Sequence, residues 1–365
     1  MYQNSKVSFE GTLSSNKRGI MKKAALLFIL IFVFISVPAA STQARKAQQF
    51  DDQVRQGEYI AYIAGCVSCH SPANPETGEF IEETLFAGGN PFDLGPLGIV
   101  FTKNLTPDPE TGLGNWSDEE IKTAIRTGVS PDGLHLFPVM PYTLYNSMAE
   151  SDLDALVAYL RSLPPVNNPL PRDQILPPEA LPQLPIREGI VAPDPSDTEA
   201  RAEYLFSGVL PCTDCHTPLD QETGAPIVEQ YLSGGQPFEG PWGIIYGGNI
   251  TPHEETGIGT WSDEDIKRIF LSGVRPDGRQ VVLMPWRDFQ PLTEADLDAV
   301  VYYLRNKVTA INREVPAPAL NEGFINFVEI PESAPESPPN NIVPIVLVVV
   351  ALGLIVVAVF ALRRR

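Results

Sequence analysis

Sulfur and imidazole are scarce in this chain of 365 residues, which has 4 Cys, 4 His and 5 Met. So few cysteines cannot staple a chain of this length, which excludes a disulfide-built scaffold. Basic charge is also short, with 26 Lys and Arg against 45 Asp and Glu. That balance gives no electrostatic footprint for nucleic acid, and none is expected as a partner. Strand-like alternation is missing over any length. So are the glycine-rich signatures that cradle nucleotides or flavins.

What the chain does have in quantity is apolar sequence at both ends and proline between its folded parts. Lys22 and Lys23 precede an apolar run from Ala24 to Val37, and Pro38, Ala39, Ala40 and Ser41 follow. This is the charge, core and small-residue order of a secretory signal, assigned to 1–44, with translation starting at Met1 or at Met21. An uncleaved anchor is the alternative, since the run almost reaches spanning length. Residues 342–362 are 21 uncharged residues. As a helix they would extend roughly 32 Å, about the thickness of a bilayer core. Arg363, Arg364 and Arg365 then stay on the cytoplasmic side, so everything before the span is expected on the extracytoplasmic face of the cell membrane. That exported part, 45–341, holds 18 basic and 44 acidic side chains, a net charge of −26. Such a field favours docking on a basic patch of another protein, or serves solubility alone.

The middle of the chain contains one unit twice, offset by about 145 residues. Cys66 matches Cys212, Asn104 matches Asn249, Trp116 matches Trp261, and Gly128 matches Gly273. The units are placed at 50–163 and 199–312. A proline-rich linker at 164–198 joins them, and a second proline-rich stretch at 313–341 leads to the membrane as a stalk. In each unit the last helix shows the clearest periodicity, with Leu153, Leu156, Val157 and Leu160 echoed by Leu297, Val300, Val301 and Leu304. A middle helix is expected after Ser117 and after Ser262, each followed by acidic residues that suit a helix N-terminus, and Gly128 and Gly273 should end it. A first helix should precede each cysteine pair, near 51–64 and 197–207. The long Gly- and Pro-rich stretches between read as loops, which a compact unit tolerates when a large cofactor fills its centre.

All four cysteines fall in one motif, Cys66-Val67-Ser68-Cys69-His70 and Cys212-Thr213-Asp214-Cys215-His216. This is the haem c attachment signature: Cys66, Cys69, Cys212 and Cys215 form thioethers to two haem groups, and His70 and His216 are the proximal iron ligands. A disulfide gives no reason for His after both pairs, and zinc would need further ligands that the repeat does not supply. For the sixth ligand the repeat selects Met140-Pro141 and Met284-Pro285, because Met148 falls where the second unit has Leu292. Met140 and Met284 would close each iron to substrates and raise its potential. Asn104 and Asn249 head glycosylation sequons, but their place in the loop favours internal packing. Trp116 and Trp261 read as packing residues.

With these motifs placed, the chain resembles the class I cytochrome c domain, and more narrowly the cytochrome c subunits of membrane-bound alcohol and gluconate dehydrogenases. The resemblance rests on Gly88-Gly89 and Gly234-Gly235, Asn104-Leu105-Thr106-Pro107 and Asn249-Ile250-Thr251-Pro252, Gly112-x-Gly114-x-Trp116 and Gly257-x-Gly259-x-Trp261, and the two Met-Pro pairs. It implies an all-α fold, a few helices around each haem, and electron transfer toward a quinol-oxidising complex, a dehydrogenase partner or a terminal oxidase. Those subunits usually carry three haem domains, whereas this chain has two motifs and a C-terminal span. The expected function is a membrane-anchored two-haem electron carrier, not an enzyme. The alternative is a two-haem redox enzyme of peroxidase or thiosulfate dehydrogenase type with one open iron. The repeat of Met-Pro in both units argues for the carrier.

Overall fold

Ser117 and Ser262 start their helices as expected, and each does so with a reciprocal cap. The Ser117 hydroxyl accepts from the Glu120 amide while the Glu120 carboxylate accepts from the Ser117 amide, and Ser262 and Asp265 repeat the arrangement. Gly128 and Gly273 close both helices in the left-handed conformation. The structure, a computed structural model, describes residues 47–74, 79–171, 175–220, 224–240 and 242–321. Within them the same order of elements occurs twice. It comprises a long helix (α1, 47–63; α6, Thr198–Gly208), a single-turn helix on the cysteine motif (α2, Cys66–His70; α7, Cys212–His216) and the capped helix (α3, Asp118–Thr127; α8, Asp263–Ser272). A short turn of helix follows (α4, Tyr142–Tyr145; α9, Trp286–Phe289), then a closing helix (α5, Glu150–Ser162; α10, Glu294–Asn306).

The closing helices bury the face their periodicity marks: Leu153, Leu156, Val157 and Leu160 in one, Leu297, Val300, Val301 and Leu304 in the other. Each such side chain contributes roughly 1.5–3 kcal/mol of burial. The two crossings of first and last helix differ in how closely the backbones approach. The Glu58-Tyr59 and Glu203-Tyr204 pairs set Gly57 against Ala202. A Cβ on Gly57 would lie 1.9 Å from the Ala155 carbonyl oxygen, so α1 touches α5 backbone to backbone and only glycine fits there. The outer ends of α5 and α10 are tied to the Gly-x-Gly-x-Trp loops by arginines. Arg161 donates to the carbonyls of Leu113 and Trp116 and pairs with Asp118; Arg305 donates to those of Ile258 and Trp261 and pairs with Asp263.

The all-α expectation requires correction. Antiparallel pairs form between β1 (Pro91–Asp93) and β2 (Ile99–Phe101), and between β3 (Pro237–Gly240) and β4 (Gly243–Tyr246), with β5 (Ala319–Leu320) added to β4. Strands of two to four residues are too short to show a period of two, so the stretches read as loops. The segment at the head of the expected stalk is likewise docked, through β5 and through Arg313, which donates to Gln230. The proline-rich stretch after α5 lies against the first unit. Val166 O accepts from Asn104, Pro171 O accepts from Lys103, and Leu181 is buried. Proline lacks an amide hydrogen but keeps its carbonyl, so such a chain is fastened by donors from elsewhere.

One apolar core cluster includes side chains of both units, among them Ile63, Val67, Leu153, Leu205, Leu210 and Val300. No helix among the described residues is long and apolar enough to cross a membrane. The signal at 1–44, the span at 342–362 and the stalk beyond 321 lie outside the described residues.

Candidate functional site

The cysteine motif folds the same way in both units. Each occupies a single helical turn, so the two cysteines lie one turn apart on one face with the histidine directly after them. All four thiols are free and half-buried. Burial, reinforced by nearby acidic groups, pushes Cys66, Cys212 and Cys215 up to about 12 and Cys69 up to about 11. At neutral pH they are S–H groups, the form that adds across a vinyl double bond with its hydrogen.

Both histidines are fixed by their Nδ1. His70 Nδ1 donates to the Lys103 carbonyl at 2.7 Å, and His216 Nδ1 donates to the Gly248 carbonyl at 2.7 Å. A carbonyl only accepts, so Nδ1 carries the proton and the Nε2 lone pair is left for a metal. Burial lowers the His70 pKa to about 4 and moves His216 the same way, which keeps both rings neutral. A hydrogen-bonded Nδ1 opposite a ligating Nε2 is the usual way a protein orients a metal-bound imidazole.

The loop after each histidine completes the holder. Gly88 donates its amide to the His70 carbonyl, and Gly234 to that of His216, both at 2.7 Å. Both glycines have φ above 70°, and a Cβ on either would come within about 2.5 Å of the strand-end backbone. Just before them Phe86 and Leu232 sit fully buried at φ 60° and 58°, a region that side chains rarely adopt. The Ser71 and Thr217 hydroxyls, which accept from their amides at 3.0 Å, hold them there. In the first unit Asn90 adds three bonds from its side-chain nitrogen to the carbonyls of Ser68, Cys69 and Ser71. Sequence reasoning missed Ser71, Thr217, Asn90 and the two histidine-bonding carbonyls, because each acts through backbone geometry. The repeat of a hydroxyl residue directly after both histidines was the one signal available.

Met140 and Met284 occupy matching turns, with each carbonyl accepting from the amide two residues on, Tyr142 and Trp286, at 2.8 Å. Both side chains are partly buried against the core, while Met148 is completely buried within it. A small cleft opens in the first unit between Val100 and Lys103 on one wall and Leu134 to Phe137 on the other, closed by Ile175, Leu176 and Leu181 of the linker. One wall thus belongs to the segment that bonds His70 and the other to the loop that leads into Met140. The residues fit the group that the motif implies: in each unit a pair of S–H donors stands beside an oriented neutral imidazole. Asn104 and Asn249 are buried and use both ends of their amides internally, receiving from Thr106 and Thr251 and donating to Val166 O and Ile311 O. His135 stands on the cleft wall, its Nδ1 3.4 Å from Gln183 of the linker.

A family model described as Cytochrome c matches residues 54–164. Among curated proteins, the fructose dehydrogenase cytochrome subunit of Gluconobacter japonicus is 29% identical over 300 residues, covering 78% of this chain and 59% of that protein. The gluconate 2-dehydrogenase cytochrome c subunit of Pantoea cypripedii is 32% identical over 281 residues, covering 71% of this chain and 60% of that subunit. A diheme cytochrome c-type protein of Cereibacter sphaeroides is 32% identical over 274 residues, covering 71% of this chain and 87% of that protein. The chain spans 59% and 60% of the lengths of these two dehydrogenase subunits. Family match, relatives and the oriented Cys-x-x-Cys-His turns agree, and the chain belongs to the c-type cytochromes, which carry covalently bound haem c.

Proposed function

We propose that the protein is a two-haem electron carrier, anchored to the membrane by 342–362 and working on the extracytoplasmic face between a dehydrogenase and a downstream acceptor. The observation that carries this reading is the duplicate holder: in both units a motif imidazole gives its Nδ1 proton to a loop carbonyl and keeps Nε2 for a metal. Haem c supplies a reversible one-electron iron couple. The chain does the rest. Cys66, Cys69, Cys212 and Cys215 fix two haem groups against loss, and His70 and His216 present oriented nitrogen ligands. Met140 and Met284 offer thioether sulfur from turns stiffened by the following proline, which resists rearrangement when the iron changes charge.

The two dehydrogenase subunits compared above make an oxidoreductase the natural donor, and the net charge of −26 on 45–341 gives the carrier an acidic surface for a basic docking patch. Optical spectra of the purified full chain, oxidised and reduced, with a haem count per chain, test the reading. Two haems, both with the long-wavelength band of Met-ligated ferric haem and neither binding carbon monoxide, are expected. A single haem, or an iron that binds carbon monoxide or reacts with peroxide, overturns it.

A further inference from the structure

The two attachment helices abut. The Ser68 hydroxyl donates to Asp288 Oδ2 at 2.5 Å across the junction. A Cβ on Gly65 would lie 3.8 Å from Pro211, and Cys69 is in electrostatic reach of both Asp214 and Cys215. The two Cys-x-x-Cys-His turns therefore lie beside one another.

What holds them is a polar seam with local two-fold character. In the first unit Asp152 accepts from Gln56 of its own unit at 3.3 Å and from the Tyr204 hydroxyl of the second at 2.5 Å. In the second unit Asp296 takes a bidentate pair from Arg201 of its own unit, at 2.6 and 2.9 Å, and accepts from the Tyr59 hydroxyl of the first. Gln56 corresponds to Arg201, Tyr59 to Tyr204 and Asp152 to Asp296 in the repeat. Each tyrosine thus crosses to the carboxylate of the other unit. Both carboxylates and both hydroxyls are buried or partly buried in the seam. The seam sits where the first turns of α5 and α10 meet α6 and α1, and Tyr204 also accepts from the Ala149 amide at 3.1 Å. Nothing in haem attachment needs these groups.

We propose that the reciprocal Tyr59–Asp296 and Tyr204–Asp152 bonds are positioning contacts that hold the two Cys-x-x-Cys-His turns edge to edge. The junction at Cys69 and Cys215 is then the route by which an electron passes between the two haem sites within one chain. The transfer oxidises one iron and reduces the other by one electron, with no bond made or broken and no proton moved. It rests on the two-haem reading above. Exchange between fixed redox centres falls steeply with edge separation, so a seam that loosens slows exchange before it disturbs either site.

The test uses the full holoprotein and the variants Y59F and Y204F, singly and together, which remove only the crossing hydroxyls. Haem count and the ferric Met-ligand band come first, and one haem per chain refutes the two-haem reading regardless of the variants. With two intact haems, exchange after flash reduction in dilute solution should fall about tenfold or more in the double variant, equivalent to about 1.4 kcal/mol in barrier. In potentiometric titration the dependence of one haem's potential on the other's charge should weaken too. S117A, which weakens only a helix cap in the first unit, should leave both readouts at wild-type values. Wild-type exchange and wild-type mutual dependence in a folded Y59F/Y204F protein overturn the proposal. If the double variant does not fold, the same two readouts in either single variant decide it.

Discussion

Replacing Asp288 with asparagine should remove a pH dependence of stability that the wild-type protein carries between about pH 4 and pH 7. Asp288 on α9 is 0% exposed, its Oδ2 accepts from Ser68, and its Oδ1 meets no hydrogen-bond donor among the described residues. Burial, opposed only by the Ser68 bonds, raises its pKa from 3.8 to about 7. In the unfolded chain the carboxyl keeps its ordinary value near 3.8, so between the two values the folded state holds a proton that the unfolded state has lost. Stability therefore falls as pH rises through this window and levels off above the folded value. At about 1.36 kcal/mol per pH unit, that window sets an upper bound of about 4 kcal/mol, and relaxation of the site reduces this to roughly 2. Asparagine at this position would keep an acceptor for Ser68 but cannot ionise. Denaturant unfolding of the holoprotein at half-unit pH steps gives the difference in stability between D288N and wild type. The variant should gain about 2 kcal/mol relative to wild type from about pH 4 to pH 8. Asp214 on α7, raised to about 6 by burial, titrates in both proteins and cancels from the difference. Parallel stability profiles across that range would refute the reasoning, because they would mean that Asp288 reaches solvent or a donor when charged.

Replacing Met284 with Ala should lower the potential of the second haem by much more than that of the first, read by potentiometric titration, because loss of thioether sulfur removes the ligand that favours ferrous iron. Equal falls in both would place Met284 away from the second iron. Gly57→Ala should destabilise the first unit by about 1–3 kcal/mol in chemical unfolding, since its Cβ would collide with the Ala155 carbonyl. Reduction by a physiological donor should slow as salt rises from low to physiological ionic strength, where exposed charges are screened beyond about 8 Å. Stopped-flow rates that ignore salt would remove the acidic surface from docking.

The motif, the helix caps at Ser117 and Ser262, the left-handed ends at Gly128 and Gly273 and the apolar faces of α5 and α10 were legible because each is a local pattern of a few residues. What escaped was non-local or too short. The strands carry two to four residues, below the length at which alternation is visible. Asn90 acts on three backbone carbonyls about 20 residues away, and no side-chain pattern announces that. Proline-rich sequence reads as spacer because proline breaks helices. That says nothing of its carbonyls, and Val166 and Pro171 are fastened through theirs.

The seam between the units shows how a repeat can be read further than its motifs. Tyr59 and Asp296 are 237 residues apart, and no local rule connects them. Yet a tyrosine before both cysteine pairs and an aspartate in the first turn of both closing helices recur in the two units. A buried carboxylate costs too much to keep unless it is hydrogen-bonded, so its recurrence in both units points to a donor that also recurs. Within one unit Asp152 has only the neutral Gln56, while Asp296 has Arg201 and its charge is matched. Asp152 therefore depends more on the crossing hydroxyl of Tyr204 than Asp296 does on Tyr59. If the seam holds the units together, loss of the Tyr204 hydroxyl must weaken it more than loss of the Tyr59 hydroxyl, although the two sites look alike in the repeat.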